Sequence, residues 1–244
     1  MKRALLLAAA LLLAAAAPRS GYDDATEAVR SMQDDDDANP AMLWVGQGMT
    51  LWATPQGSKG ESCLSCHGAP ETMRGVAARY PRFDGRVITL GQQIQQCQTE
   101  RQGVAAWPGE SDEMLAMTAL IGLQSRGLPV AIDASGPAQA TLDQGRATFE
   151  RRMGQLDLSC ADCHDRLAGH RLGGSRIPQG QPNGYPEYRL EWQGMGSLER
   201  RLRNCMTGIR SEPFPAGSPE LGALEFYLAW RANGLAVETP AVRP

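Results

Sequence analysis

A chain of 244 residues with a formal charge of −3 has room for two modest domains and no basic surface to hold nucleic acid or an anionic membrane. Aromatic residues make up only 6% of it, against 27 Gly and 16 Pro, which excludes a large apolar core unless a bound group supplies buried surface. The basic residues are almost all arginine, whose planar fork suits carboxylates and the oxyanions of sulfur or phosphorus.

The chain opens Met1-Lys2-Arg3 and runs through Leu and Ala to a small-residue exit at Ala15 to Ala17, the pattern of a cleaved signal peptide over 1–17. A retained anchor is the alternative, but the apolar run is shorter than the roughly 20 residues a spanning helix needs, and Pro18 and Arg19 follow it directly. The expectation is a soluble mature protein exported to an oxidising compartment, the periplasm, with no membrane partner. From Pro18 to about Asn39 the chain is polar, with four acids at Asp34 to Asp37 and no core periodicity. We assign 18–45 to an extended N-terminal arm.

The first domain, 46–130, contains Cys63-Leu64-Ser65-Cys66-His67. In such a CxxCH run the two cysteines form thioethers to a porphyrin and the histidine, on the same turn, becomes an axial iron ligand. A dithiol redox pair or half a zinc site is the rival reading, but zinc would need further Cys or His at close spacing, and there are none. A surplus cysteine, Cys97, follows. Then comes a helix announced by Ser111-Asp112-Glu113-Met114, with Met117, Leu120 and Ile121 on one face and Gly127 as its stop, a polar cap and a left-handed closing residue.

Gly127 to Gln139, broken by Pro129, Gly136 and Pro137, marks the boundary. The second domain, 137–244, repeats the plan: Cys160, Cys163 and His164 in a second CxxCH, a surplus Cys205, then a helix opening at Ser218-Pro219-Glu220-Leu221. Leu224, Tyr227 and Leu228 form its apolar face and Gly234 its stop. The fold expected is therefore mainly α: two tandem cytochrome c-like haem domains related by internal duplication, with two covalently bound haem c groups. The second copy carries a longer segment between motif and surplus cysteine, rich in Gly, Pro and Tyr around Gly173 to Gly196, which suits a mouth or a docking surface.

Sixth ligands are harder to place: only His170 is left over among the histidines, and it follows His164 too soon to serve the same iron, while ten methionines are available in principle. One surplus cysteine per copy makes thiolate ligation by Cys97 and Cys205 one answer. A disulfide between the two is the other, natural in an oxidising compartment.

The approaches to these cysteines align without a gap: Gly91-Gln92-Gln93-Ile94-Gln95-Gln96-Cys97 in one copy, Glu199-Arg200-Arg201-Leu202-Arg203-Asn204-Cys205 in the other. On a helix Arg201 lies one turn before Cys205 on the same face, whereas Arg200 and Arg203 point elsewhere. A guanidinium there holds a sulfur as thiolate and can bind an oxyanion through two donors. A solvated basic face is the plainer reading, but a structural helix gains nothing from charging only one of two copies.

With these residues in view, the chain resembles the SoxA family, dihaem subunits of the SoxAX cytochrome, an L-cysteine S-thiosulfotransferase of bacterial sulfur oxidation. The likeness covers most of the mature chain and includes Asn39-Pro40-Ala41-Met42-Leu43-Trp44-Val45, Ser65-Cys66-His67-Gly68, Ala77-Ala78-Arg79-Tyr80-Pro81 and the arginine-rich approach to Cys205. The resemblance implies that Cys97 and Cys205 are the distal ligands of the first and second haem, opposite His67 and His164. It implies that Cys205, found as a persulfide in the family, is the catalytic sulfur and that Arg201 binds substrate. It also implies a monohaem SoxX partner, thiosulfate as substrate, the SoxYZ carrier as acceptor of the conjugate and a cytochrome c as electron acceptor. A plain dihaem electron carrier is the alternative, but it has no use for Arg201 beside Cys205.

Overall fold

The computed structural model describes residues 18–244; the leader expected over 1–17 lies outside them. The segment taken for an extended arm is in fact helical. Helix α1 (Gly21–Asp24) is capped by Ser20 and α2 (Glu27–Asp34) by Thr26. Helix α2 buries Val29 and, one turn on, Gln33, whose amide oxygen accepts the Val242 N–H at 3.0 Å. The face that docks is half polar, so no apolar periodicity betrays it. Asn39 does the same work one turn later, donating to the Pro240 carbonyl at 2.9 Å from a buried position.

The expected duplication is present. In the first copy α3 (Met42–Ala53) leads to the motif turn α4 (Cys63–His67), α5 (Leu90–Cys97) ends on the surplus cysteine, and α6 (Asp112–Leu123) closes the unit. In the second, α7 (Ala138–Glu150), a wide π turn at Asp162–Arg166, α8 (Leu198–Gly208) and α9 (Pro219–Arg231) take the same places. Ser111 and Ser218 cap α6 and α9 as expected. Each copy is held by its first helix crossing its last, α3 on α6 and α7 on α9. The crossings turn on Gly48 and Gly145, each fifteen residues before its first haem cysteine. A Cβ on Gly48 would lie 2.5 Å from the Ala116 carbonyl oxygen, and one on Gly145 closer still to that of Ala223. Only glycine lets the backbones approach this far.

Helix α6 departs from the one-sided apolar face expected of it: eight of its twelve residues are buried, including Ala116, Ala119 and Gly122 on the other sides. Met117, Leu120 and Ile121 are buried as anticipated. Thr239, from the far end of the chain, presses on Gly122, so α6 is enclosed by both copies. The two stop glycines also act differently. Helices α6 and α9 finish a turn before Gly127 and Gly234, and the segments that follow pair with each other: Gly127 N–H to the Val237 carbonyl at 2.8 Å, and Gly234 N–H to the Val130 carbonyl at 3.0 Å. The segment expected to divide the copies is thus a seam joining them symmetrically.

Strands are few and short. Hairpins β1 (Arg82–Phe83) with β2 (Val87–Ile88) and β3 (Arg171–Leu172) with β4 (Ser175–Arg176) are separate, while β5 (Glu187–Arg189) pairs antiparallel with β6 (Gly194–Gly196) and parallel with β7 (Ala241–Arg243). The two cores exchange pieces across the 130/137 division. Tyr188, Met195 and Val242 pack among Val45, Trp52 and Leu120 of the first copy, and Ala78 with Phe83 and Val87 packs among Phe149, Leu224 and Phe226 of the second.

Candidate functional site

The first motif sits on α4, whose start is fixed by a reciprocal cap: Ser62 accepts the Ser65 N–H and Ser65 accepts the Ser62 N–H, both at 3.0 Å. Gly68, at φ 73°, ends the turn. Its carbonyl accepts the Trp52 indole N–H at 2.9 Å, and the Trp52 ring lies 6.0 Å from that of His67. The second motif has no glycine there. Asp165 stands in its place, and the backbone runs on as the π turn, held by Asp162, which accepts the Ser159 N–H at 3.0 Å and pairs with Arg152 at 3.1 Å and Arg166 at 2.9 Å.

The chemistry of the donors fits a c-type haem in each copy. Each turn offers two thiols and an imidazole, and the surplus cysteine of the same copy comes close enough for its charge to act on the first thiol: Cys97 on Cys63, Cys205 on Cys160. Burial first, and that neighbouring sulfur second, push the free thiols of Cys63 and Cys160 up to about 11. All six cysteines are free. Cys97 and Cys205 each face their own motif rather than each other, which leaves the disulfide reading without geometric support. His164 Nδ1 donates to the Pro178 carbonyl at 2.8 Å, which leaves Nε2 with its lone pair for a metal. Gly180 backs the same ring so closely that a Cβ would stand 3.1 Å from it. Part of the Gly- and Pro-rich segment thus orients the His164 ring. Burial holds His164 below its ordinary value, and the charges of Arg201 and Arg231 act in the same direction.

On α8, Ser197 caps the first turn, and Arg201 and Cys205 share a half-buried face while Arg203 and Asn204 are exposed. Arg200 turns away, its guanidinium 4.3 Å over the Trp192 ring. In the first copy Gln93 occupies the Arg201 position, and its amide nitrogen lies 4.0 Å from Cys97 Sγ. A neutral donor and a cation therefore occupy the same sequence position, four residues before the surplus cysteine of each copy. Arg201 Nη1 is held by Glu191 Oε1 at 3.1 Å, and the same oxygen accepts Arg189 Nε at 2.8 Å. Arg189 in turn pairs with Glu187 at 2.9 Å. This relay, anchored on β5, was not anticipated from the sequence. Its one visible trace is the alternation Glu187, Arg189, Glu191 after Tyr185-Pro186, where the first copy has Arg82, Asp84 and Arg86 after Tyr80-Pro81. His170 lies on the exposed surface. Among the described residues no helix is long and apolar enough to cross a membrane.

Comparison with known proteins adds a family. The SoxA/TsdA cytochrome c domain matches residues 47–130 and 144–237. The L-cysteine S-thiosulfotransferase subunit SoxA of Rhodovulum sulfidophilum is 42% identical over 229 residues, which is 92% of this chain and 80% of that protein. Its counterpart from Paracoccus pantotrophus is 41% identical over 227 residues, 92% of this chain and 78% of the relative. The crystal structure of SoxXA from P. pantotrophus superposes with a TM-score of 0.90 at 41% identity, covering 93% of this chain and 87% of that one.

Proposed function

The chain belongs to the SoxA/TsdA cytochrome c family, among the SoxA subunits, and on that premise we propose that it is the dihaem subunit of a periplasmic L-cysteine S-thiosulfotransferase whose reacting sulfur is Cys205. Cys63 and Cys66 attach one haem c and Cys160 and Cys163 the other, with His67 and Cys97 on the first iron and His164 and Cys205 on the second. Arg201 binds thiosulfate. The partner is a SoxX-like monohaem subunit, the acceptor of the conjugate is a cysteine of the SoxYZ carrier, and the electrons leave to a cytochrome c.

The reaction joins thiosulfate to the carrier thiol as a cysteine S-thiosulfonate, forming one S–S bond and releasing one proton and two electrons. Haem, when bound, carries those electrons onward one at a time. The chain's own residues handle the sulfur. Thiosulfate is a dianion, and a thiolate or persulfide at Cys205 repels it unless a cation lies between. Arg201 supplies that cation with two donors matched to the sulfonate oxygens. Glu191 and Arg189 keep the guanidinium aimed, so little reorganisation is needed when the anion arrives.

The observation that carries this reading is the contrast at one helical turn: Gln93 before Cys97, Arg201 before Cys205. The experiment is conjugation of thiosulfate to the carrier by the holo complex, with cytochrome c reduction followed in parallel. Two cytochromes reduced per conjugate is the expected ratio; conjugate formed without cytochrome reduction, or no conjugate at all, contradicts the proposal.

A further inference from the structure

The two motif turns are tethered in different ways, and the difference singles out Arg231. In the first copy Trp52 of α3 reaches over and binds the carbonyl of Gly68, the residue after the motif histidine. In the second copy the matching aromatic is Phe149, which has no donor, and the matching residue after His164 is Asp165. The missing tether comes from α9. Arg231 Nη2 binds Asp165 Oδ1 at 2.6 Å, and its guanidinium lies 4.4 Å over the Phe149 ring. The side chain is 15% exposed, and Nη1 is buried without an oxygen partner. The face of Phe149 is the partner that compensates it, as a cation over an aromatic quadrupole. At the same place in the first copy stands Gln124, whose amide merely donates to its own helix at Leu120.

We propose that Arg231 is a positioning residue for the second haem: clamped between Asp165 and Phe149, it fixes the turn that carries His164 and places a positive charge beside that ligand, the part Trp52 and Gly68 play without charge in the first copy. The inference rests on the reading that the second motif holds a haem. Its physical need is plain from the backbone. A π turn is a sparsely used form, and here no glycine closes the turn. The clamp crosses from the last helix of the copy to the motif, so it also transmits the α7–α9 packing to the ligand. Asp162, with its own arginines, holds the start of the same turn; Arg231 holds its end.

The test uses the dihaem protein with the first haem as internal reference. Arg231→Gln, the residue the first copy carries, should shift the one-electron equilibrium of the second haem roughly tenfold toward ferric and broaden its low-spin EPR signal, leaving the first haem unchanged. Arg231→Lys keeps the charge and the Asp165 pair and should restore most of the potential. Arg30→Gln, which removes a cation 5.9 Å over Tyr22 on the N-terminal helices, should alter neither haem. Intact mass of the unmodified holoprotein separates the two possible failures. A single attached haem overturns the dihaem reading and this inference together. Two attached haems, with Arg231→Gln leaving the second potential and EPR signal as they were or moving both haems alike, overturn this inference alone.

Discussion

Arg201 is where charge and geometry meet, and its variants separate the two. Arg201→Lys keeps a cation but loses the paired donors, so conjugation should fall by about tenfold and survive; Arg201→Gln, which copies the first repeat, should cost about a hundredfold or more in kcat/KM. Equal loss in both would mean that charge is irrelevant at this position. Glu191→Gln should raise KM for thiosulfate more than it lowers kcat, because it removes the carboxylate that aims Arg201 and leaves the cation in place. A different residue governs pH behaviour. Glu225, on α9, is buried, and burial first, then the charges of Glu199 and Glu110, raise it to about 8. The native state therefore keeps a proton that the unfolded chain gives up, and stability contributed below the ordinary carboxylate range is lost as pH rises from about 4.5 to about 8. The melting temperature should fall across that window, and Glu225→Gln should flatten the decline. An unchanged slope in the variant would remove Glu225 as its cause. The Arg201 position stands out in one sequence because the duplication supplies its own comparison, Gln93. The same comparison would have marked Arg231 against Gln124, but nothing in the sequence says that Phe149 lacks a donor that Trp52 uses. Glu191 was invisible for a related reason: it reaches Arg201 across ten residues of a hairpin, a contact that spacing does not show.

The helices were legible where their ends carry chemistry. Ser111 and Ser218 cap the final helices, and the CxxCH spacing fixes each motif turn. The arm was misread because the contacts that dock it are polar: Gln33 and Asn39 hydrogen-bond to the C-terminal strand region, and a hydropathy pattern does not register an amide in a core. The crossings of α3 on α6 and α7 on α9 were also beyond reach, since an isolated glycine in a helix signals weakness as readily as close approach. They make a sharp expectation. Gly145→Ala should destabilise the protein by about 1–3 kcal/mol, because the added carbon meets a backbone oxygen that cannot rotate away. Gly46→Ala, on the outer face of α3 with open space around it, should be neutral or slightly stabilising. Denaturant midpoints of the two variants decide the matter, and comparable stabilisation in both would show that helix propensity rather than the crossing sets the outcome.

At the scale of the whole molecule, duplication has been followed by divergence of one copy. Both keep the thiols, the histidine and the facing cysteine, and both keep the glycine crossing; the second alone has arginines at 201 and 231 and the β5 relay around Glu191. Their seam at Gly127–Val130 and Gly234–Val237 and the exchange of core residues tie them into one body. The account therefore makes an asymmetric claim about two equivalent cysteines. Its most direct test is the rate of thiosulfate conjugation to the carrier measured side by side in Cys205→Ala and Cys97→Ala, after intact mass has shown both haems attached in each. Conjugation should vanish in Cys205→Ala and largely persist in Cys97→Ala, with only the first haem's spectrum altered in the latter; near-normal conjugation in Cys205→Ala, or a greater loss in Cys97→Ala, would place the chemistry in the other copy.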